Sequence, residues 1–342
     1  MIGIRARNLR TAVPSLTPTI YLLLLSAAVC AFLLSLLSGS VTLSFQELWQ
    51  GMTGENSLAQ AVLFELRLPR TLTAFATGGL LAIAGVLMQV LLRNPLADPF
   101  IMGVSGGAAI AALSAMLLGL GGLLIDASAT VGALATTLTV FALARGEGGW
   151  TPTRLLLTGI VIAAGAGAVV SILLVMGNEN QIRGMLFWLM GDLSNSARPW
   201  PLLILFAVAV AALFPLARHL NVLARGEMQA QVLGAQVRSM RIGIFIGSSI
   251  LTAATVTSAG TIGFVGLVTP HLVRLMLGAD HRLVLPASAL LGGTLVMIAD
   301  LCARTLFAPR QLPVGALTAI VGVPLFLLLM RRSGHRIVDS GR

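Results

Sequence analysis

Ten long apolar runs, separated mostly by short polar turns, leave this sequence few ways to fold. They cover roughly residues 18–38, 71–92, 97–119, 122–144, 154–176, 200–217, 240–258, 262–277, 284–303 and 313–330. A helix crossing the bilayer core takes about 20 predominantly apolar residues, so ten of them consume most of the 342 positions. Only 10% of residues are charged, whereas a soluble domain carries about a quarter. The expectation is an all-α polytopic membrane protein of about ten transmembrane helices, one domain over residues 1–342 with no room for a soluble one. Arg5, Arg7 and Arg10 precede the first run in the manner of a signal peptide. The run from Ile20 to Leu37 is longer than a signal core and more spans follow, so a retained first helix is expected.

The net charge of +10 would suggest nucleic acid in a soluble protein. Here it follows from the excess of basic residues on the cytoplasmic side of membrane proteins. With the N-terminus inside, sixteen arginines fall in cytoplasmic segments and six outside, the latter being Arg67, Arg70, Arg183, Arg198, Arg304 and Arg310. That asymmetry predicts cytoplasmic N- and C-termini, the latter a tail at 331–342, and no nucleic-acid partner. All 22 basic side chains are arginine. A phosphate-binding P-loop and a Schiff base both need lysine, so any ATP-driven step requires a separate subunit.

The long polar interlude on the basic side is Arg218 to Arg241, with Arg218, His219, Arg225, Glu227, Arg238 and Arg241 set among leucines, Met228 and Val232. It suits one or two short amphipathic helices at a membrane surface, broken at Gly226 or Gly234; periodicity alone fits a solvated loop equally well. On the other side, 39–70 carries Glu47, Glu55 and Glu65, and 177–199 is apolar enough at Met185–Met190 for a short half-helix dipping into the membrane. Trp188 and Trp200 suit an interfacial position. Gly243 and Gly247 form GxxxG, and Gly159, Ala163 and Gly167 share a helix face; such faces allow helices to approach closely, and the GxxxG implies a bundle and nothing more.

Groups that could do chemistry are scarce. Asp300 and Arg304 have the spacing of an i,i+4 pair. His271 after Pro270 reads as a hydrogen-bonded histidine in a kinked helix and not as a metal ligand. Cys30 and Cys302 lie in apolar runs and read as packing residues. No catalytic residue and no metal site is assigned. An ion-coupled secondary transporter, the alternative reading, usually needs a buried acidic relay at mid-depth, and none is found. A membrane-embedded enzyme would need His, Asp, Glu or Cys at ligand spacing, which the four histidines lack.

RNPLADPFIMGVSGG at Arg93–Gly107 is a tight turn: Asn94 before Pro95 and Asp98 before Pro99 are both good helix starts. The stretch closely resembles a signature of the FecCD family of ABC importer permeases, which take up ferric siderophores, haem and vitamin B12. GTIGFVGLVTPHLVRLMLGADHRLVLPASALLGG from Gly260, MIAD with LCAR, LPVGALTAIVGVPLF from Leu312, and RLPRT at Arg67 resemble further family blocks in collinear order. Asn94, Pro95, Asp98, Pro99, Gly103, Gly266, Pro270, His271 and Asp300 match signature positions.

The resemblance implies a ten-helix permease of type II ABC importer architecture in the bacterial inner membrane. Its dimer, of like or unlike chains, would surround a central path. Two cytoplasmic ATPase subunits using ATP and Mg would drive it, and an extracytoplasmic binding protein would deliver an iron chelate, haem or cobalamin. The chain itself would bind no cofactor. The coupling surface matches Leu220, Asn221, Leu223, Gly226, Glu227, Leu233 and Gly234. Arg67, Arg70 and Arg304 match arginines that pair with binding-protein glutamates in the vitamin B12 permease. Interfacial snorkelling is the other reading of these arginines.

Overall fold

The computed structural model describes residues 13–39, 44–54, 56–146, 150–194 and 198–339. Arg5, Arg7, Arg10, Glu55 and Arg342 lie outside them. Each of the ten apolar runs contains a helix. Seven helical stretches are long and apolar enough to cross a membrane. They are α1 (Val13–Leu37), a stretch ending in α4 (Leu68–Leu92), α6 (Gly122–Leu143), α7 (Pro152–Met176), α9 (Trp200–Ala224), α11 (Val237–Ala259) and α13 (His281–Thr305). Three shorter apolar helices accompany them: α5 (Val104–Leu117), α12 (Val265–Leu277) and the first part of α14 (Val314–Asp339). The protein is thus helical and multi-pass.

Several boundaries move for identifiable reasons. The second apolar run, expected from residue 71, belongs to a helical stretch from Ser57 to Leu92. Within it α3 (Ser57–Ala61), capped by Asn56, leads through a π-helical turn (Val62–Arg67) into α4. Pro69 has no N–H and crowds the preceding turn; the wider π turn before it keeps the chain helical. The segment 39–70 also contains α2 (Phe45–Thr53), started by a reciprocal Ser44–Glu47 capping box. The half-helix foreseen at Met185–Met190 is the end of α8 (Glu179–Leu189), capped by Asn178. Trp200 is exposed while Trp188 packs partly into the core. α14 runs on into the tail as far as Asp339.

The turn after α4 departs furthest from expectation. Asn94 starts no helix; its Oδ1 accepts from Leu96 N at 2.9 Å and closes a local turn. Asp98 does cap, but only the 3-10 turn Pro99–Met102. The chain then passes Gly103 at φ 72°, a left-handed conformation that suits glycine, before α5 begins.

α4 is the axis of the bundle, with 94% of its apolar window buried, and α13 and α11 flank it. Glycines permit the tightest approaches. A Cβ on Gly78 would overlap the Gly292 carbonyl oxygen, one on Gly85 that of Gly266, and one on Gly107 that of Gly132. The GxxxG pair does not pack this way within the chain: nothing lies within 4 Å of a Cβ at Gly243, and a Cβ at Gly247 would only touch Leu87 at 3.9 Å. On α7, Gly159 approaches the Ile101 carbonyl closely, whereas Gly167 faces open space. The motif marks small residues, and only the fold decides which of them meets a neighbour.

Candidate functional site

Polar side chains gather at two opposite ends of the bundle. At one end a single carboxylate is shared by arginines from two helices. Asp300 on α13 is 0% exposed. Arg70 on α4 donates to its Oδ1 from Nε at 2.8 Å, with Nη2 also at 2.8 Å. Arg304, one turn on, places Nε 3.1 Å from Oδ2, without the alignment of a hydrogen bond, so that contact is mainly Coulombic. Arg304 Nη2 donates to Ser35 Oγ at 2.6 Å, and Ser35 Oγ lies 2.9 Å from Thr71 Oγ1. Arg67 Nη1 donates to the carbonyls of Leu36 and Leu37 at 2.6 and 2.9 Å, closing the end of α1. Arg70 Nη1 reaches Gln311 Oε1 at 3.1 Å.

The spacing-based Asp300–Arg304 pair is therefore present, and Arg70 joins it from 230 residues away. All three arginines predicted for docking are brought together, and all three are buried against this chain. Ser35, Thr71 and Gln311 were not assigned: Ser35 lies among ordinary span residues, Thr71 only closes the RLPRT block, and Gln311 falls in the turn between two runs.

The other end holds an elbow. α9 continues through Arg218–Ala224, so the first third of the predicted interlude is an extension of a span. Gly226 at φ 122° breaks it, α10 (Glu227–Val232) follows, and Gly234 at φ 77° breaks the chain again before α11. Both predicted break points are used. Glu227 is gripped by Arg241, whose Nη1 and Nη2 donate to Oε1 and Oε2 at 3.2 and 2.8 Å. Leu220 and Leu223 are buried, while Met228, Val232 and Leu233 are 79%, 83% and 64% exposed. The elbow is thus anchored on one side and apolar on its open side.

Asn221 does not face outward. Its Oδ1 accepts from His281 N at 2.9 Å, and Nδ2 donates to Asp280 Oδ1 at 2.7 Å, clasping the end of α9 to the start of α13. A backbone N–H can only donate, so the amide orientation is fixed. His281 Nδ1, 2.7 Å from the same oxygen, then carries the ring proton. Asp280 and His281 were not singled out, because a partner 59 residues away leaves no local signal.

His271 corrects an expectation: its Nε2 is buried with no hydrogen-bond partner. Pro270 has no N–H, which frees the carbonyl of Gly266 in the preceding turn. Gln89 of α4 fills that vacancy, with Nε2 3.4 Å from Gly266 O and 3.3 Å from Leu267 O. Arg274 Nη1 donates to Gln89 Oε1. Gly266 itself is the close-packing partner of Gly85. Phe264, just before α12, has φ 68°, strained for a bulky residue, and lies against Gly322 of α14. In the turn, Asp98 Oδ1 accepts from Phe100 N at 2.8 Å. Cys30 and Cys302 are free thiols, Cys30 exposed on α1.

A multi-pass helical bundle with an arginine–aspartate knot at one end and a clasped amphipathic elbow at the other defines a membrane permease, with no constellation suited to covalent chemistry among the described residues. The model of the FecCD transport family matches residues 24–332. The hemin transport system permease protein of Yersinia pestis is 41% identical, covering 86% of this chain and 90% of that one. The vitamin B12 import system permease protein of Vibrio cholerae is 39% identical, covering 92% and 93%. A solved inward-facing structure, described as a metal-chelate type ABC transporter, superposes with a TM-score of 0.82 at 32% identity over 92% of this chain and 99% of that one. The chain belongs to the FecCD transport family. It is a transport permease subunit of an ABC importer and not itself an enzyme.

Proposed function

We propose that this subunit carries a metal chelate across the bacterial inner membrane as one half of a permease dimer. In this reading the protein is one permease domain of ten spans with both termini cytoplasmic. The three shorter apolar helices complete the count, α5 lengthened by its 3-10 turn. Two ATPase subunits, holding ATP and Mg, dock at the elbow, and a binding protein docks at the arginine knot. The chain holds no cofactor of its own. Relatives that carry hemin and vitamin B12 support a bulky chelate as cargo, with a ferric siderophore in the same class. The apolar faces of α1, α6 and α7 meet lipid or the second permease.

The elbow carries this reading. α10 is short, tied to α11 through Glu227–Arg241, and leaves Met228, Val232 and Leu233 open to a partner. A push on it is passed through Leu220, Leu223 and Asn221 into α9 and α13. At the opposite end, Arg70 and Arg304 share the one Asp300 carboxylate, which leaves positive charge in excess and favours acidic side chains on a delivering protein. The test is uptake of labelled hemin, cobalamin and ferric siderophore by a strain lacking this chain, complemented with wild type or Glu227→Ala. Wild type should restore one cargo. Glu227→Ala should reach the membrane yet lose uptake at least about tenfold, as expected from removing one partner of a charge pair. Full uptake by Glu227→Ala would refute the coupling role; uptake that persists without an ATPase subunit would refute the importer mechanism.

A further inference from the structure

The elbow has a neighbour that coupling does not explain. A cleft of about 520 Å³ opens at the same end of the bundle, between the end of α4, the end of α9 and the start of α13. Arg93, Arg225 and Arg274 line it, together with Asn94, Asp280 and His281. Among the described residues, none of these arginines has a carboxylate within 4.0 Å; the ion pairs are Arg70–Asp300, Arg241–Glu227 and Arg304–Asp300. Asp280 is the one acid on the wall, and its Oδ1 is already taken by Asn221 Nδ2 at 2.7 Å and Arg282 N at 3.0 Å. His281 is buried, gives its Nδ1 to Asn221, and keeps Nε2 without a partner.

Three cations facing a single carboxylate in a concave site leave positive charge in excess, which an anion would offset. Guanidinium groups match phosphate oxygens in geometry as well as charge. Arg93 sits at the end of α4 in a left-handed conformation, φ 48°, with Nη1 3.7 Å from the position of a Cβ on Gly226. It thus leans across the elbow break toward Arg225. Arg274 is held from behind by Gln89, itself fixed on two carbonyls. Val90, Pro95, Ala224 and Ala279 give the cleft apolar borders. Basic pockets between spans at the cytoplasmic boundary suit phospholipid headgroups.

We propose that this cleft binds a phosphate-bearing anion, the headgroup of an anionic phospholipid or a free phosphate, and that the bound anion ties the ends of α4, α9 and α12 together beside the elbow. The lipid source rests on the reading that this end is cytoplasmic; the binding itself is measured without transport.

The test uses the purified full chain and native mass spectrometry after exchange into mixed micelles of phosphatidylglycerol and phosphatidylcholine, with inorganic phosphate as a second arm. Arg93→Gln and Arg225→Gln are the variants, since both side chains are exposed; Arg238→Gln, exposed outside the cleft, is the control. Wild type should retain phosphatidylglycerol over phosphatidylcholine, and each cleft variant should weaken that retention about fivefold, the control leaving it unchanged. Retention lost to millimolar phosphate, or replaced by phosphate binding with the same variant dependence, assigns the site to the free ion. Equal retention of both lipids with no phosphate effect overturns the proposal, as does equal loss in the control. Loss of uptake in Arg225→Gln with no anion bound by wild type also overturns it, and gives the arginines to a protein carboxylate instead.

Discussion

Removing the Asp300 carboxylate is the sharpest perturbation the structure offers. Asp300 is completely buried, and Arg70 and Arg304, both buried, approach it at 2.8 and 3.1 Å. At an effective dielectric near 20, a pair of unit charges about 4 Å apart attracts by roughly 4 kcal/mol. Part of that is offset by the desolvation both partners have already suffered, so the pair's net worth is much smaller than its breaking cost. Asp300→Ala leaves the arginines desolvated with no counter-charge, which costs about 3–5 kcal/mol. Asp300→Asn keeps the shape and one acceptor and should cost less. Combining Asp300→Ala with Arg70→Met removes one of the two orphaned charges and leaves Arg304, so the double variant should be more stable than the sum of the singles predicts, by about 1–3 kcal/mol. Reversible unfolding in mixed micelles, followed by the far-UV helical signal, gives the four corners of the cycle. Asp300→Ala within about 1 kcal/mol of wild type, or strictly additive singles, would show that the knot is hydrated in the membrane and that the burial argument is wrong.

Other outcomes follow from single residues. Gly85→Ala drives a Cβ into the Gly266 carbonyl and should cost several kcal/mol or abolish folding, whereas Gly243→Ala meets nothing within 4 Å and should be close to neutral. Comparable yields and melting points for the two would refute this packing. Gly226→Ala forces a side chain onto φ 122° and should lower stability by about 1–3 kcal/mol, read in the same unfolding assay; no loss would mean that the elbow re-forms with ordinary backbone.

The helical, multi-pass character was legible because each apolar run is long and most of the turns between are polar. Boundaries were not, where a local rule yielded to a longer one. Arg218–Leu223 looks polar enough for a loop, yet Leu220 and Leu223 keep the α9 register and are buried. Asn94–Pro95 has good helix-start chemistry, but Asp98, four residues on, repeats it, and the chain spends the intervening residues turning. At the site, the i,i+4 pair Asp300–Arg304 was readable from spacing. Arg70 as its third member was not, since only the approach of α4 and α13 brings it there. Likewise, the spacing of Gly243 and Gly247 could not say that those faces stay open while Gly78 and Gly292 touch. Gln89 replacing the hydrogen bond that Pro270 forfeits has no sequence signal at all.

α13 is fastened at both extremities, by Asn221 at His281 and by Arg70 at Asp300. Between them Gly292 rests on Gly78 with no side chain to cushion the contact. Such a helix has the geometry of a seesaw. Its arms, from Gly292 to His281 and from Gly292 to Asp300, measure about 16 and 12 Å at 1.5 Å per residue. A swing of about 4 Å at the His281 arm would then move the Asp300 arm by about 3 Å in the opposite sense. Work done at one face of the membrane would arrive at the other reversed in direction and little reduced, through one helix and one pivot.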